Sequence, residues 1–260
     1  MRLVRTLRSL IAIGILSMGA LAAEAGAQAP MPPPGAVALV GAEPIPQAEF
    51  DHWYAIALRQ ERGVVDPPRY ERCIAADRRR ARRNGRKPPR RVLRRRCEHR
   101  GAGARRETMT FLVQARWFRA EAAARQITVE PERVRRYFEQ LTSKSFKSRR
   151  AYRRFLRESG LTEADLLVRA ELELLQLRLL RGVLESARPV SAAEVKRYLS
   201  NHRQKYRNMP RAKALRTVRR FLTALRRARA ILGFTRDLRS RYRPITLCAP
   251  GYRVKDCGAP

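Results

Sequence analysis

The sequence predicts a mainly α-helical protein with a short N-terminal strand and turn, a long C-terminal helix and a small disulfide-bound tail. Three observations carry that reading. Apolar and aromatic side chains recur at spacings of three and four through most of the chain after Gln47, the period of one helix face. Extended patterning is confined to Val37–Val40 and pieces of the tail. The four cysteines fall as two pairs close in sequence, Cys73 with Cys97 and Cys248 with Cys257.

The chain begins with three arginines (Arg2, Arg5, Arg8), an apolar run from Leu10 to about Ala23, and small residues at Ala25 and Ala27. This is the order of a secretory signal, with cleavage expected after Ala27. The alternative is an uncleaved anchor, although the run is shorter than the ~20 residues that span a bilayer comfortably. No cysteine near the cleavage site suggests a lipoprotein. Residues 28–36, with "QAPMPPPGA", form a Pro-rich linker that offers little to bury. The working part of the protein is expected outside the cytoplasmic membrane, in the periplasm, cell envelope or medium, soluble or tethered.

In "VALVGAEPIPQAEFDHW" (37–53) a short strand runs into a tight turn at Gly41 and Ala42, a Pro-containing kink and a helix start. Phe50, Trp53, Tyr54, Ile56, Ala57 and Leu58 mark one face of a helix from Gln47 to about Arg62. Between Cys73 and Cys97 lie twelve basic residues and one acid, Asp77, with Asn84, Gly85, Pro88 and Pro89 in the middle. That much like charge reads as an exposed basic loop over 73–97, closed at its base by a disulfide. Helical periodicity resumes through Met109, Leu112, Val113, Trp117 and Ala120. The next helix, with Val134, Tyr137, Phe138 and Leu141, takes its start signal from Thr128 and Pro131. After a short helix that stops at Gly160, Thr162 caps a long leucine-rich helix whose first turn holds Glu163 and Asp165. Apolar on more than one side, that helix should be central. "PVSAAEVKRYLSNHRQKY" makes a short arm with a Ser cap, and the last long helix precedes the tail "ITLCAPGYRVKDCG".

Four cysteines permit three pairings; nearness in sequence favours Cys73–Cys97 and Cys248–Cys257, each worth about 3 kcal/mol by the chain-entropy argument. Metal ligation is the weaker alternative, because no C-x-x-C occurs and only His99 lies near a cysteine. The formal net charge is +35. Removal of residues 1–27, with three arginines and Glu24, lowers it to +33. Such charge either solvates the surface or meets a polyanion; export argues against nucleic acid as that partner. His52, His99 and His202 are scattered. No Ser, His and Asp arrangement, phosphate-cradling Gly loop or clustered carboxylates suggests catalysis. No catalytic residue, metal or cofactor is assigned.

Taken in order, "VALVGAEPIPQAEFDHW", "FLVQARWFRAEAAARQITVEPERVRRYFEQ", "FLRESGLTEADLLVRAELELL" and "PVSAAEVKRYLSNHRQKY" resemble the SurA and PrsA type of exported foldases over about residues 37–206, and "CAPGYRVKDC" resembles the C-terminal end of exported relatives. Gly41 and Ala42 stand where the family has Asn-Gly, and Pro46 where it has Thr or Ser. In that family the helix similar to "EVKRYLSNHRQKY" leads into a parvulin peptidyl-prolyl isomerase domain. Here the chain passes through "RNMPRA" into an Arg-rich helix, with no Gly-Gly pair anywhere. The resemblance therefore implies a SurA N-domain-like chaperone module over 37–206, with 207–260 returning to pack on it, and without a recognisable isomerase site.

The implied function is an extracytoplasmic holdase for unfolded or translocating exported proteins. Its groove would draw on Trp53, Tyr54, Met109, Phe111, Trp117, Phe118, Tyr137, Phe138, Tyr152 and Phe155, most of which must also serve the core. The rival expectation is an envelope-associated protein whose basic loop grips an anionic wall polymer or lipid head groups.

Overall fold

The computed structural model describes residues 31–60 and 65–258. The expected secretory signal and most of the linker lie outside the described residues. As the sequence predicts, the protein is mainly helical, with a small sheet, a long C-terminal helix and a disulfide-bound tail.

Strand β1 (Ala36–Val40) turns at Gly41, whose φ of 59° is the left-handed conformation such a turn needs, into β2 (Glu43–Pro46). The Pro-containing kink that the sequence suggests is this second strand. Pro44 and Pro46 are tolerated because β2 is an edge strand, where a missing N–H costs no ladder bond. The other neighbour of β1 is β3 (Thr246–Cys248), antiparallel, with Leu39 opposite Leu247 and Val40 opposite Thr246. The sheet thus joins the two ends of the described chain.

Helix α1 (Gln47–Gln60) follows β2 directly and buries Phe50, Trp53 and Ile56, one side of its turn repeat. The basic segment corrects its expectation: it is not a loop but two helices, α2 (Glu71–Arg83) and the start of α3 (Arg90–Ala124). Charge count hid the buried face. Cys73 and Ile74 on α2 pack against Leu93 and Cys97 on α3, so a narrow apolar seam suffices while the twelve basic residues between the cysteines stay exposed. Gly85, with φ 67°, makes the turn, and Pro89 sets the start of α3 without a side-chain cap.

The second half of α3 is the axis of the main core, which Met109, Leu112, Val113 and Trp117 build with α1, with Leu175 and Leu179 of α6 (Glu163–Glu185) and with Phe234, Leu238 and Tyr242 of α9 (Arg211–Tyr242). Helix α4 (Pro131–Ser145) packs on α6 through Val134, Phe138, Ala170 and Leu174. Its N-cap is Glu130, with Pro131 in the first turn, and not the expected Thr128. Proline is pre-set for the first helical position, which puts the boundary at residue 130, and the cap there makes no side-chain hydrogen bond. Helix α5 (Arg149–Ser159) ends at Gly160 in the left-handed conformation, as its stop signal predicts. Thr162 and Asp165 form a capping box at the start of α6. The α7 helix (Ala192–Asn201) starts with the same device, Ser191 and Glu194. A single turn, α8 (Arg203–Tyr206), leads to α9, whose first half packs with α7 as a separate small core of Val195, Tyr206, Ala214 and Val218.

Both disulfides pair as expected. They fit an oxidising, extracytoplasmic environment. No described helix is long and apolar enough to cross a membrane.

Candidate functional site

The ten aromatic and methionine positions named from the sequence divide by burial. Trp53, Met109, Trp117 and Phe138 are core residues. Trp117 is fixed further, its indole N–H donating to Thr246 Oγ1 at 2.9 Å. Tyr54, Phe111, Phe118, Tyr137, Tyr152 and Phe155 are half-buried. Of these, Phe111 meets Trp53 edge to face, at 5.0 Å between ring centres, and Arg169 lies over both rings. Together with Ala57, Glu107 and Thr108 they line a pocket of about 280 Å³. That space suits a side chain rather than a segment of chain.

A larger concavity opens where the end of α4, the turn after it, α5 and the start of α6 meet. It holds about 700 Å³, within the range of small-ligand clefts. Its apolar wall is Phe146, Tyr152 and Leu156; its rim is Glu139, Arg149, Arg153 and Glu163, with Thr142, Ser143 and Ser148 between. Phe146 lies 5.3 Å from Tyr152 and 5.1 Å from Phe155, centre to centre. The cleft takes one of the residues named from the sequence, Tyr152, and adds Phe146 and Leu156; Phe155 packs on Phe146 without lining the cleft. Phe146 escaped because it follows α4 and belongs to no helical period; its one signal was an aromatic between Ser145 and Lys147 in an otherwise polar turn.

The local sequence explains the opening. Ser148 caps α5, its hydroxyl accepting from the Ala151 N–H at 3.2 Å. From there Tyr152, Phe155 and Leu156 fall on one side, and Arg149, Arg150, Arg153, Arg154 and Arg157 on the other. So divided a helix should bury its apolar side. Instead Ser159 is the only fully buried residue of α5, and Tyr152, Phe155 and Leu156 are each part-exposed. Burial and the Glu163 carboxylate both push the Tyr152 phenol above its ordinary value, so it stays a neutral donor; its hydroxyl faces Glu163 at 3.4 Å.

The histidines do not converge. His52 Nε2 lies 2.7 Å from Asp165 Oδ1, His99 is on the outer face of α3, and His202 stacks on Tyr198 at 4.0 Å. Among the described residues no group of three His, Cys, Asp or Glu could hold a metal ion.

The chain matches no family model, no curated protein and no solved structure.

Proposed function

We propose that this protein is an extracytoplasmic holdase that takes apolar segments of unfolded or translocating polypeptides into the cleft between α4, α5 and α6. The observation that carries the reading is the half-covered apolar face of α5. Tyr152 and Leu156, with Phe146 opposite, leave apolar surface beside an open volume, and Phe155 packs on Phe146 from outside the lining. An extended client gains by covering it, and aromatic walls accept many sequences because they ask for area rather than for particular hydrogen bonds. Arg149, Arg153, Glu139 and Glu163 keep the rim wet and of mixed charge, which opposes self-association.

The resemblance to the SurA and PrsA foldases supports the same reading. So does the way the last helix and tail return to the first strand, since one continuous module can present a cleft on a rigid frame. The secretory signal, with cleavage after Ala27, belongs to this proposal, as does work in the periplasm or envelope. No isomerase step is proposed.

The test is light scattering from a neutral, aggregation-prone client, at physiological and at high salt. The wild-type protein is expected to suppress aggregation at both, because the contact is apolar. Phe146→Ser combined with Leu156→Ser should abolish suppression while far-UV circular dichroism stays unchanged. Suppression that vanishes with salt, or that survives the double substitution, would overturn the proposal.

A further inference from the structure

All twelve basic side chains between Cys73 and Cys97 are exposed, and eleven of them are arginine. Three have a carboxylate within 4 Å: Arg90 with Glu71, Arg94 with Glu98, and Arg80 with Asp77. The others have none among the described residues. Their placement is regular. Arg78 with Arg82, Arg79 with Arg83, and Arg91 with Arg95 each stand four residues apart, one above the other on a helix face. Like charges so placed destabilise a helix by a few tenths of a kcal/mol per pair. The negative end of α2 offsets part of that repulsion at Arg80, Arg82 and Arg83, whereas the positive end of α3, without a side-chain cap at Pro89, adds to it.

The hairpin is nonetheless held rigid from within. The Cys73–Cys97 bridge joins its two helices, and Arg100 reaches across to the buried Asp77, with Nη2 3.0 Å from Oδ2. The arginines are thus presented by a stiff two-helix arm instead of being free to move apart. Charge of one sign, fixed in rows, with buried supports of its own, is an arrangement that a polyanion completes.

We propose that the α2–α3 hairpin is a binding arm for a linear phosphate polymer. Four residues of helix rise about 6 Å, so phosphates along one extended chain can reach successive guanidinium groups in a row. Arginine is the fitting side chain, because its planar fork gives a phosphate two parallel hydrogen bonds where lysine gives a point charge. A bilayer surface is the poorer match. Binding at an interface also uses buried apolar side chains, and among the described residues no large hydrophobic residue of the hairpin is exposed. The arm is separate from the α4–α5–α6 cleft, so this proposal stands or falls without the holdase reading.

The deciding experiment measures binding of the oxidised full chain to long-chain inorganic polyphosphate over a range of salt. It compares wild type with the quadruple variant Arg78→Gln, Arg82→Gln, Arg91→Gln, Arg95→Gln. All four side chains are exposed, so the fold should survive, as circular dichroism would verify. A control with the same charge change carries Arg211→Gln, Arg216→Gln, Arg219→Gln and Arg220→Gln on α9, all exposed. The hairpin variant should lose about tenfold or more in affinity at low salt. Its slope of log affinity against log salt should flatten by about 3, the counterions of four lost phosphate contacts. The control should keep the wild-type slope. Equal losses in both variants would reduce the effect to net charge and overturn the assignment. So would tighter binding to phosphatidylglycerol vesicles than to polyphosphate, or polyglutamate binding as tightly as polyphosphate.

Discussion

Glu121 is 1% exposed and answers to three partners. Arg125 Nε donates to one oxygen at 2.6 Å; Arg241 Nη1 and the Tyr242 hydroxyl donate to the other at 2.5 and 3.2 Å. Burial alone would push the carboxyl up, but Arg125, Arg241 and Tyr242 outweigh it and hold it below the usual carboxylate range. A carboxyl depressed on folding contributes stability that is present above its unfolded pKa and lost as pH falls through the folded one. The protein should therefore lose stability on acidification below about pH 4.5, the ordinary glutamate value. Glu121→Gln should cost about 2 kcal/mol at neutral pH, less than for a fully buried pair because both arginines are partly solvated. The same variant should flatten the acid limb, and urea melts at pH 7 and pH 4 measure both effects. A Glu121→Gln protein with wild-type stability at pH 7 would show that the arginines find water as readily as the carboxylate. Only the spacing of Glu121 and Arg125 is legible in the sequence; Glu121 and Arg241 lie 120 positions apart and look like two more charges on polar faces.

At the scale of elements the sequence was most informative where a helix end carries its own chemistry. Thr162 with Asp165, Ser191 with Glu194, and Gly160 in the left-handed conformation are local devices that need no tertiary partner, and each sits where the motif puts it. Thr162→Ala removes a hydroxyl that accepts from the Asp165 N–H and should cost about 1 kcal/mol. Gly160→Ala should cost at least as much, because a Cβ there meets the Arg59 side chain at 2.6 Å and the backbone φ is 74°; thermal melts rank the two. The hairpin is hard to read from sequence for the opposite reason. Its helices rest on seam residues, among them Leu93, Cys97 and Ile74, too few to register against twelve basic neighbours. Tertiary support decides its structure, so it should depend on the bridge more than the capped helices do. Cys73→Ser with Cys97→Ser should cost about 3 kcal/mol. Hydrogen exchange should then rise first in residues 71–100 while α6 stays protected. Uniform exchange across both regions would mean that the hairpin and core unfold as one unit.

For the whole molecule, the tail is part of the core as much as the helices are. Strand β3 completes the sheet on β1; Thr246, fully buried, accepts the Trp117 indole N–H and donates to the Tyr242 carbonyl at 2.7 Å. Tyr252 stands edge-on to Phe50 at 4.9 Å, and Arg105 lies over the Phe50, Tyr54 and Tyr252 rings. Asp256, also buried, accepts from Gln114 Nε2 at 2.9 Å and pairs with Arg239, tying the tail to α3 and α9. The cysteine pair hinted at a closed tail in the sequence, yet its role as a lid over β1 and α3 depends on contacts more than a hundred residues apart. Two variants separate the covalent from the packed contribution. Cys248→Ser with Cys257→Ser opens a short loop and should cost about 2–3 kcal/mol, because strand pairing and the Thr246 and Asp256 contacts remain to hold the tail. Deleting residues 246–258 leaves β1 with one neighbour and uncovers Phe50 and Trp117. That should remove about 5 kcal/mol or more, comparable with the whole stability of a typical domain. The deletion should abolish the cooperative near-UV transition, whereas the double serine variant should only shift it to lower temperature. If the deleted chain melts cooperatively near the wild-type temperature, the frame presenting the α4–α5–α6 cleft is complete without its C-terminal strand. The return of the chain onto β1 would then be an addition to the module and not its foundation.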